Sequence, residues 1–305
     1  MNNKYDRIVI DGNNFLFRAF YSRRPERLVN GFDVSNISHF LTMLRTLQKR
    51  FKAEEILLTW DKKINCTKEN FRKSLVKYKG QRVETDITKK IFDNIEHIQK
   101  FVDALGIRTL YPVNLEADDV IRFLSTLDGY KKTLIVSSDK DLLQLVNENT
   151  HVFMPVKDVI VNSENFESFA GVAKKDFVMF KCMVGDVSDN VPGLDQIGPV
   201  RAKKLIEKLS EENVDVATIL TQEQRSIIER NKSIMDLSMV DLLCSDEYGF
   251  YAQQMETSKK DFDESKLRSL FREYKFASFE RMMLEWNRDF NKNNVEDDLL
   301  SMICM

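Results

Sequence analysis

Short apolar runs that stop at an acidic residue recur through the N-terminal part of this chain. Arg7–Ile10 leads into Asp11, Glu55–Trp60 into Asp61, and Thr133–Ser137 into Asp139 and Asp141. Each run has the length of a buried strand, and turn formers such as Asp11-Gly12-Asn13 follow it. Between the runs, apolar residues fall at helical spacing: Ile37, Phe40, Leu41, Leu44, Leu47 and Phe51, with Ser35 as the expected N-cap, then Ile91, Ile95, Ile98, Phe101, Val102 and Leu105. Strand candidates at Ile107–Leu110 and Val152–Met154 and helical patterns at Ala117–Leu127 and Leu142–Val146 complete the alternation. The pattern predicts an α/β fold, a mostly parallel central sheet with helices on both faces. Ligands of such sheets bind beyond the carboxyl ends of the strands, where Asp11, Asp61 and Asp139 fall.

From about residue 165 the strand signals stop and helical patterns take over. The expected organisation is an α/β domain over residues 1–164, a helical subdomain over 165–291 and a short tail, 292–305, that is polar, then acidic, then apolar. Residues 62–90 are basic and poor in large apolar groups, which predicts a loop or a solvated helix. The net charge of −2 conceals this basic patch, and a near-neutral chain can bind nucleic acid when its Lys and Arg collect on one face. Cys66, Cys182, Cys244 and Cys304 have neither CxxC pairing nor metal-ligand spacing and read as free thiols of a reducing compartment. No apolar run is long enough to span a membrane and the N-terminus lacks a signal-peptide pattern, so a cytoplasmic protein is expected.

The acidic set extends beyond the strand ends. Glu116 and Asp119 share one face at the start of a helix, with Asp118 beside them, and Asp186 and Asp189 repeat that spacing after Phe180–Val184. So many carboxylates brought together repel one another unless cations neutralise them. Hard divalent ions with oxygen ligands, Mg²⁺ or Mn²⁺, suit the set, and His39, His97 and His151 are too scattered for zinc. Two such ions can cleave phosphodiesters. A single Asp at a strand end is often only a helix cap, and one-metal phosphatases and response regulators also place Asp after strands. Neither alternative accounts for the basic insert or the helical C-terminal part.

Six motifs in order carry a family resemblance: Ile10-Asp11-Gly12-Asn13-Asn14, Trp60-Asp61, Tyr78-Lys79-Gly80-Gln81-Arg82, Leu115-Glu116-Ala117-Asp118-Asp119, Ser137-Ser138-Asp139-Lys140-Asp141 and Met183–Gly193. Over about residues 5–285 the chain resembles the 5′-nuclease family, the phage flap endonucleases and the 5′→3′ exonuclease domain of bacterial DNA polymerase I. The resemblance implies a PIN-like nuclease fold with a basic helical arch, about residues 62–95, above the active site. It implies two or more Mg²⁺ ions, with Mn²⁺ as a substitute. Asp11, Asp61, Glu116, Asp118 and Asp139 would serve one ion and Asp141, Asp186 and Asp189 another, with Asp119 a candidate at the border. Lys79 and Arg82 match the basic positions that approach the scissile phosphate, which makes them catalytic candidates beside Asp11 and Asp139. Arg18, Arg72, Lys73 and Lys77 would contact DNA, and Tyr78 would stack on a terminal base.

The resemblance also implies a helix–turn–helix element at about residues 180–210. There Gly193, Gln196, Ile197, Gly198, Arg201, Lys203 and Lys204 would hold a DNA phosphate and a K⁺ ion at the turn. The family has Gly-x-Gly in this turn, whereas this chain has Gln196 at the first position. The implied substrates are DNA with 5′ flaps, nicks or gaps and RNA primers in RNA–DNA hybrids, in replication or repair in a bacterial or phage-infected cell. The implied protein is a monomeric stand-alone nuclease whose tail (Leu299, Leu300, Met302) would dock on a sliding clamp or single-strand binding protein. Leu267–Met283 reads as a core segment packing back on the nuclease domain. Two rivals remain at this level: a PIN-like ribonuclease, and a DNA-structure binding protein without catalysis.

Overall fold

Apolar β-branched residues build the centre of the molecule. In the computed structural model, which describes residues 4–22, 25–61, 67–81, 85–127, 131–210, 216–239, 245–257 and 261–291, the first strands are β1 (Arg7–Asp11), a small hairpin of β2 (Leu28–Val29) and β3 (Phe32–Asp33), and β4 (Glu55–Thr59). β5 (Arg108–Leu110), β6 (Thr133–Val136), β7 (Thr150–Met154) and β8 (Val159–Val161) follow. Six of these form one sheet in the order β5-β4-β1-β6-β7-β8. All neighbours are parallel except β7 and β8, which pair antiparallel. β1 lies at the middle, with Ile8, Val9 and Ile10 fully buried, as a strand covered on both faces requires. β8 closes one edge as a hairpin strand that the periodicity did not disclose.

Helices α1 (Gly12–Tyr21), α2 (Ser35–Phe51), α3 (Thr67–Leu75), α4 (Asp86–Ala104) and α5 (Ala117–Thr126) alternate with these strands. The Ser35 cap is corrected: Ser35 is the first helical residue, and the Asp33 carboxylate accepts its backbone N–H at 2.9 Å. α1 follows Asp11 without a loop because Gly12 lets the chain pass against β4; a Cβ there would lie 2.6 Å from the Thr59 carbonyl oxygen and the Trp60 ring. The arch boundary is also corrected. α4 starts at Asp86 with an exposed first turn, and from Ile91 on it is packed, with Ile91, Ile98 and Phe101 fully buried, so the solvated stretch ends near residue 90 and not at 95.

Three buried clusters hold the molecule together. The largest packs α1, α2 and α4 on one face of the sheet and takes in Leu267, Phe271, Phe276 and Trp286 from helices near the end of the chain, so Leu267–Met283 is core, as expected. The second packs α5 on the other face together with Phe166, Phe177 and Tyr251. The third is separate and centred on Cys182, Met183, Ile206, Ile228 and Ile234. It belongs to α7 (Phe177–Val184), α8 (Pro199–Leu209) and α10 (Gln222–Met235), with the short α9 (Val216–Ile219) beside them, while the short α6 (Phe166–Ala170) packs in the second cluster. The expected helical subdomain over 165–291 therefore divides: residues of about 182–235 have their own core, while both flanking stretches join the cores of the sheet.

Between α7 and α8 the chain forms a narrow ribbon, β9 (Gly185–Asp186) paired antiparallel with β10 (Val191–Pro192). Gly185 has φ +78, and a Cβ there would lie 2.3 Å from the Gly193 nitrogen. Only glycine fits where the two arms cross. The tail 292–305, Arg82, Lys62 and Lys63 lie outside the described residues.

Candidate active site

The parallel strands point their carboxyl ends at one cavity of about 360 Å³. Its walls carry eight carboxylates: Asp11, Asp61, Glu116, Asp118, Asp139, Asp141, Asp186 and Asp189. Asp11 is the last residue of β1 and caps α1, accepting the Asn14 N–H at 3.1 Å and the Ser137 hydroxyl at 2.8 Å. Ser137 Oγ in turn accepts the Asp139 N–H at 3.0 Å, and Asp139 Oδ1 accepts the Asp141 N–H at 2.8 Å. Asp61 reaches across from the end of β4 and accepts the Ala117 N–H at the start of α5, 2.7 Å away. Asn13 and Asn14 stitch the same edge: Asn13 Oδ1 accepts the Asp61 N–H at 3.2 Å and Asn14 Oδ1 the Ser138 N–H at 2.9 Å.

The cluster carries the electrostatic strain that its composition predicts. Burial pushes the Asp11 carboxyl up to about 7, and the charges of Asp61 and Asp139 add to the shift. Asp139 is pushed up to about 6, first by burial, then by Asp118, Asp189 and Asp186. Asp118 goes the other way: burial penalises its charge, but Lys68, Arg72 and Lys79 outweigh the penalty and hold it below the ordinary range.

Those cations come from the basic segment, and here the expectation of a solvated helix is corrected. Lys68 and Arg72 of α3 are 5% and 2% exposed. Lys68 donates to Asp119, Arg72 and Lys79 both donate to Glu116, and Arg72 also donates to the Tyr78 hydroxyl at 2.8 Å. Burial lowers Lys68. It also raises the Asp119 carboxyl, to about 6. On the far side Lys181 of α7 bridges Asp141 and Asp186, 3.0 Å from the latter. Burial opposes the Asp186 charge, yet Ser188 and Lys181 bring its carboxyl below the usual value.

Most of the candidate metal ligands thus meet in one place. Asp119 is the exception: it is fully buried behind the wall, with Oδ1 taken by Lys68 and Oδ2 accepting the Glu116 N–H at 3.1 Å. Its carboxylate still lies within 4.8 Å of those of Glu116 and Asp118, which makes this trio a group able to hold a metal ion. Two DNA-binding expectations are corrected. Tyr78 is 3% exposed and belongs to the third core, so its ring is not available for stacking on a base in this conformation. Arg72 is wall, neutralising Glu116, instead of a free phosphate contact. Lys73 is exposed and pairs with Glu69 at 2.7 Å, Lys77 is exposed, and Arg18 lines a neighbouring groove with Phe17 and Tyr21.

In the turn between β10 and α8, Gln196 adopts φ +56, a left-handed conformation that glycine takes most readily, so the turn forms here on a residue with a side chain. Its carbonyl accepts a bond from Arg201 at 2.9 Å. Gly198 caps α8, whose first residue is Pro199, and Lys204 and Arg201 are exposed with Lys203 half-buried. Gly193 supports the ribbon crossing, and Ile197 closes the turn with a bond to the Leu194 carbonyl at 3.1 Å.

Sequence reasoning missed Lys181, Ser137 and Asn190. A lone charge inside Phe177–Val184, an otherwise apolar helical run, was the available signal for Lys181. Ser137 and Asn190 act through hydrogen bonds that no periodicity reports.

A family model described as 5′-3′ exonuclease, N-terminal resolvase-like domain, matches residues 6–171. The chain is 34% identical over 209 residues to a 5′-3′ exonuclease of Aquifex aeolicus, covering 68% of this chain and 71% of that one. It is 28% identical to a DNA polymerase I of Lactococcus lactis, covering 98% of this chain and 35% of the polymerase. Among solved structures it is similar in fold to a bacteriophage T5 flap endonuclease determined with DNA and metal ions, at TM-score 0.65 and 18% identity over 83% of this chain and 98% of that one. A flap endonuclease-1 from Methanococcus jannaschii gives 0.52 at 15% identity over 90% and 93%. The family-model match and the exonuclease relatives define a nuclease, a phosphodiester hydrolase, and the chain belongs to the 5′-3′ exonuclease family. It is a 5′ nuclease.

Proposed function

We propose that the protein is a structure-specific nuclease that removes 5′ flaps and 5′ ends at nicks and gaps in DNA, and RNA primers in RNA–DNA hybrids, with two or more Mg²⁺ ions. The observation that carries this reading is the set of eight carboxylates around one cavity with Lys79 at its rim. The donors are all hard oxygens, and Asp11 and Asp139, pushed up first by burial and then by neighbouring carboxylates, are groups that a bound divalent cation would hold in the charged form. Asp11, Asp61, Glu116, Asp118 and Asp139 would hold one ion and Asp141, Asp186 and Asp189 a second, with Asp119 supporting Glu116 from behind. Bound there, the ions supply an activated water and charge stabilisation for the attacking and leaving oxygens.

The remaining work falls to the chain's own cations. Lys79 presents an ammonium where the scissile phosphate would enter and offsets the charge that grows there in the transition state. Arg82, outside the described residues, would act with it. Lys181, between Asp141 and Asp186, is a further candidate cation at that edge. Duplex DNA would lie along α8, where Gly198, Arg201, Lys203 and Lys204 offer backbone N–H groups and positive charge for phosphates. Arg18, Lys73 and Lys77 extend that surface. A K⁺ ion at the ribbon turn would compete with Arg201 for the Gln196 carbonyl. Work in a bacterial or phage-infected cytoplasm, as a monomer that recruits a clamp or single-strand binding protein through its tail, completes the proposal. Among the described residues no helix is long and apolar enough to cross a membrane.

The test is cleavage of a 5′-labelled flap on a nicked duplex, first with Mg²⁺ and then with EDTA. Metal-dependent release of the flap as a short oligonucleotide is expected. Release of mononucleotides alone would reduce the reading to an exonuclease, and preference for an all-RNA substrate would replace it by a ribonuclease.

A further inference from the structure

Lys79 stands at the cavity rim on a turn that cannot hold itself there. Its own φ is +51, a strained conformation for a residue with a side chain, and the turn is closed by the Gly80 N–H on the Lys77 carbonyl at 2.9 Å. The Lys79–Glu116 pair and the buried Tyr78 anchor the turn from the cavity side, and its backbone is held from the opposite side by the loop that carries Asp186 and Asp189. The Lys79 N–H donates to the Asp189 carbonyl at 2.9 Å. The Asn190 amide donates to the Lys77 carbonyl at 2.8 Å and accepts from the Gln81 amide at 3.1 Å. Asn190 thus grips the turn on both sides of Lys79. Its own φ is +58, and its amide is committed to the turn while the residue is absent from the cavity wall.

We infer that Asn190 is a positioning residue: it couples the loop of the second carboxylate group to the Lys79 turn and so fixes the ammonium at the cavity for turnover. The inference rests on the proposed role of Lys79. If the acidic loop shifts when its carboxylates are neutralised, the turn shifts with it through these bonds. The simpler alternative, a residue that only caps its own loop, predicts damage to folding that is independent of Lys79.

The experiment uses the full chain on the nicked flap substrate with Mg²⁺ and compares Lys79→Ala, Asn190→Gly and the double variant. Asn190→Gly keeps the left-handed backbone and removes only the amide. The expected result is a kcat about tenfold lower for Asn190→Gly with little change in KM or melting temperature, and no further loss when it is added to Lys79→Ala. Losses that multiply in the double variant, or a loss confined to KM, overturn the coupling. If Lys79→Ala is slow and Asn190→Gly is not, the coupling alone falls. If Lys79→Ala turns over normally, the role of Lys79 falls first and the coupling with it. Should Asn190→Gly fail to fold, Gln81→Ala at an exposed position takes its place: the same lack of additivity supports the coupling and additive losses overturn it.

Discussion

The two flanks of the acidic cavity solve the same problem differently. At the strand ends, Asp11 and Asp139 are bonded by neutral donors, a hydroxyl and backbone N–H groups, and both carboxyls are pushed upward. At the start of α5, Glu116 and Asp119 are met by Arg72, Lys79 and Lys68; these cations hold Asp118 downward, while burial still raises Asp119 to about 6. Hydrogen bonds from neutral groups orient a carboxylate without cancelling its charge, whereas a side-chain cation cancels it at the cost of desolvating two ions. The first flank keeps its charge for metal ions, and the second spends part of its charge on holding the basic segment in place.

Removing a ligand from the first flank should have the largest effect. Asp139→Asn is expected to lower flap cleavage on the order of 10³-fold, with flap binding nearly intact. Normal turnover in that variant would end the division between the flanks. Lys79→Ala should lower kcat about 10²-fold and leave KM almost unchanged, because its charge matters most in the transition state. A change in KM alone would move Lys79 from chemistry to substrate binding. The second flank should respond in stability. Arg72→Ala removes one of the two cations paired with the buried Glu116 and empties the Arg72 site in the wall, and is expected to cost about 3 kcal/mol in urea unfolding, with part of the loss recovered in Mg²⁺. If Arg72→Ala costs less than about 1 kcal/mol, the pair is a surface contact and the comparison fails.

The first flank was legible in the sequence and the second was not, for a physical reason. Asp11, Asp61 and Asp139 end strands whose periodicity is local, so the sheet rule places them together without knowledge of any contact. Lys68 and Arg72 also stand four apart on α3, but a charged run reads as solvated unless something acidic is known to face it. What faces it is the start of α5, 44 and 51 residues away in sequence across the Arg72–Glu116 and Lys68–Asp119 bonds. Tyr78 was misread for the same reason: its burial depends on packing across elements. β8 escaped because three residues carry too little alternation, and α1 because Asn13 and Asn14 resemble a loop.

The smallest expected effect, in pH dependence, tests why the flanks differ. In the unfolded chain Asp11 and Asp139 ionise at the usual carboxylate value, about 4. Folded and without cation they ionise at about 7 and about 6. Between about pH 4 and 7 the folded protein therefore binds more protons than the unfolded chain, and its stability falls as pH rises through that window. Asp118 and Asp186 have the opposite sign: their lowered values contribute stability above pH 4 that is lost below it. Divalent cations bind the deprotonated carboxylates, so each proton released makes apparent affinity climb about tenfold per pH unit inside the window. Melting temperatures measured in EDTA should decline from pH 5 to 7.5, while those in Mg²⁺ should not, and the gap between the two curves should widen with pH. Asp139→Asn should narrow that gap. Parallel curves in EDTA and Mg²⁺ would mean that the strand-end carboxylates hold no stored charge for a metal to relieve.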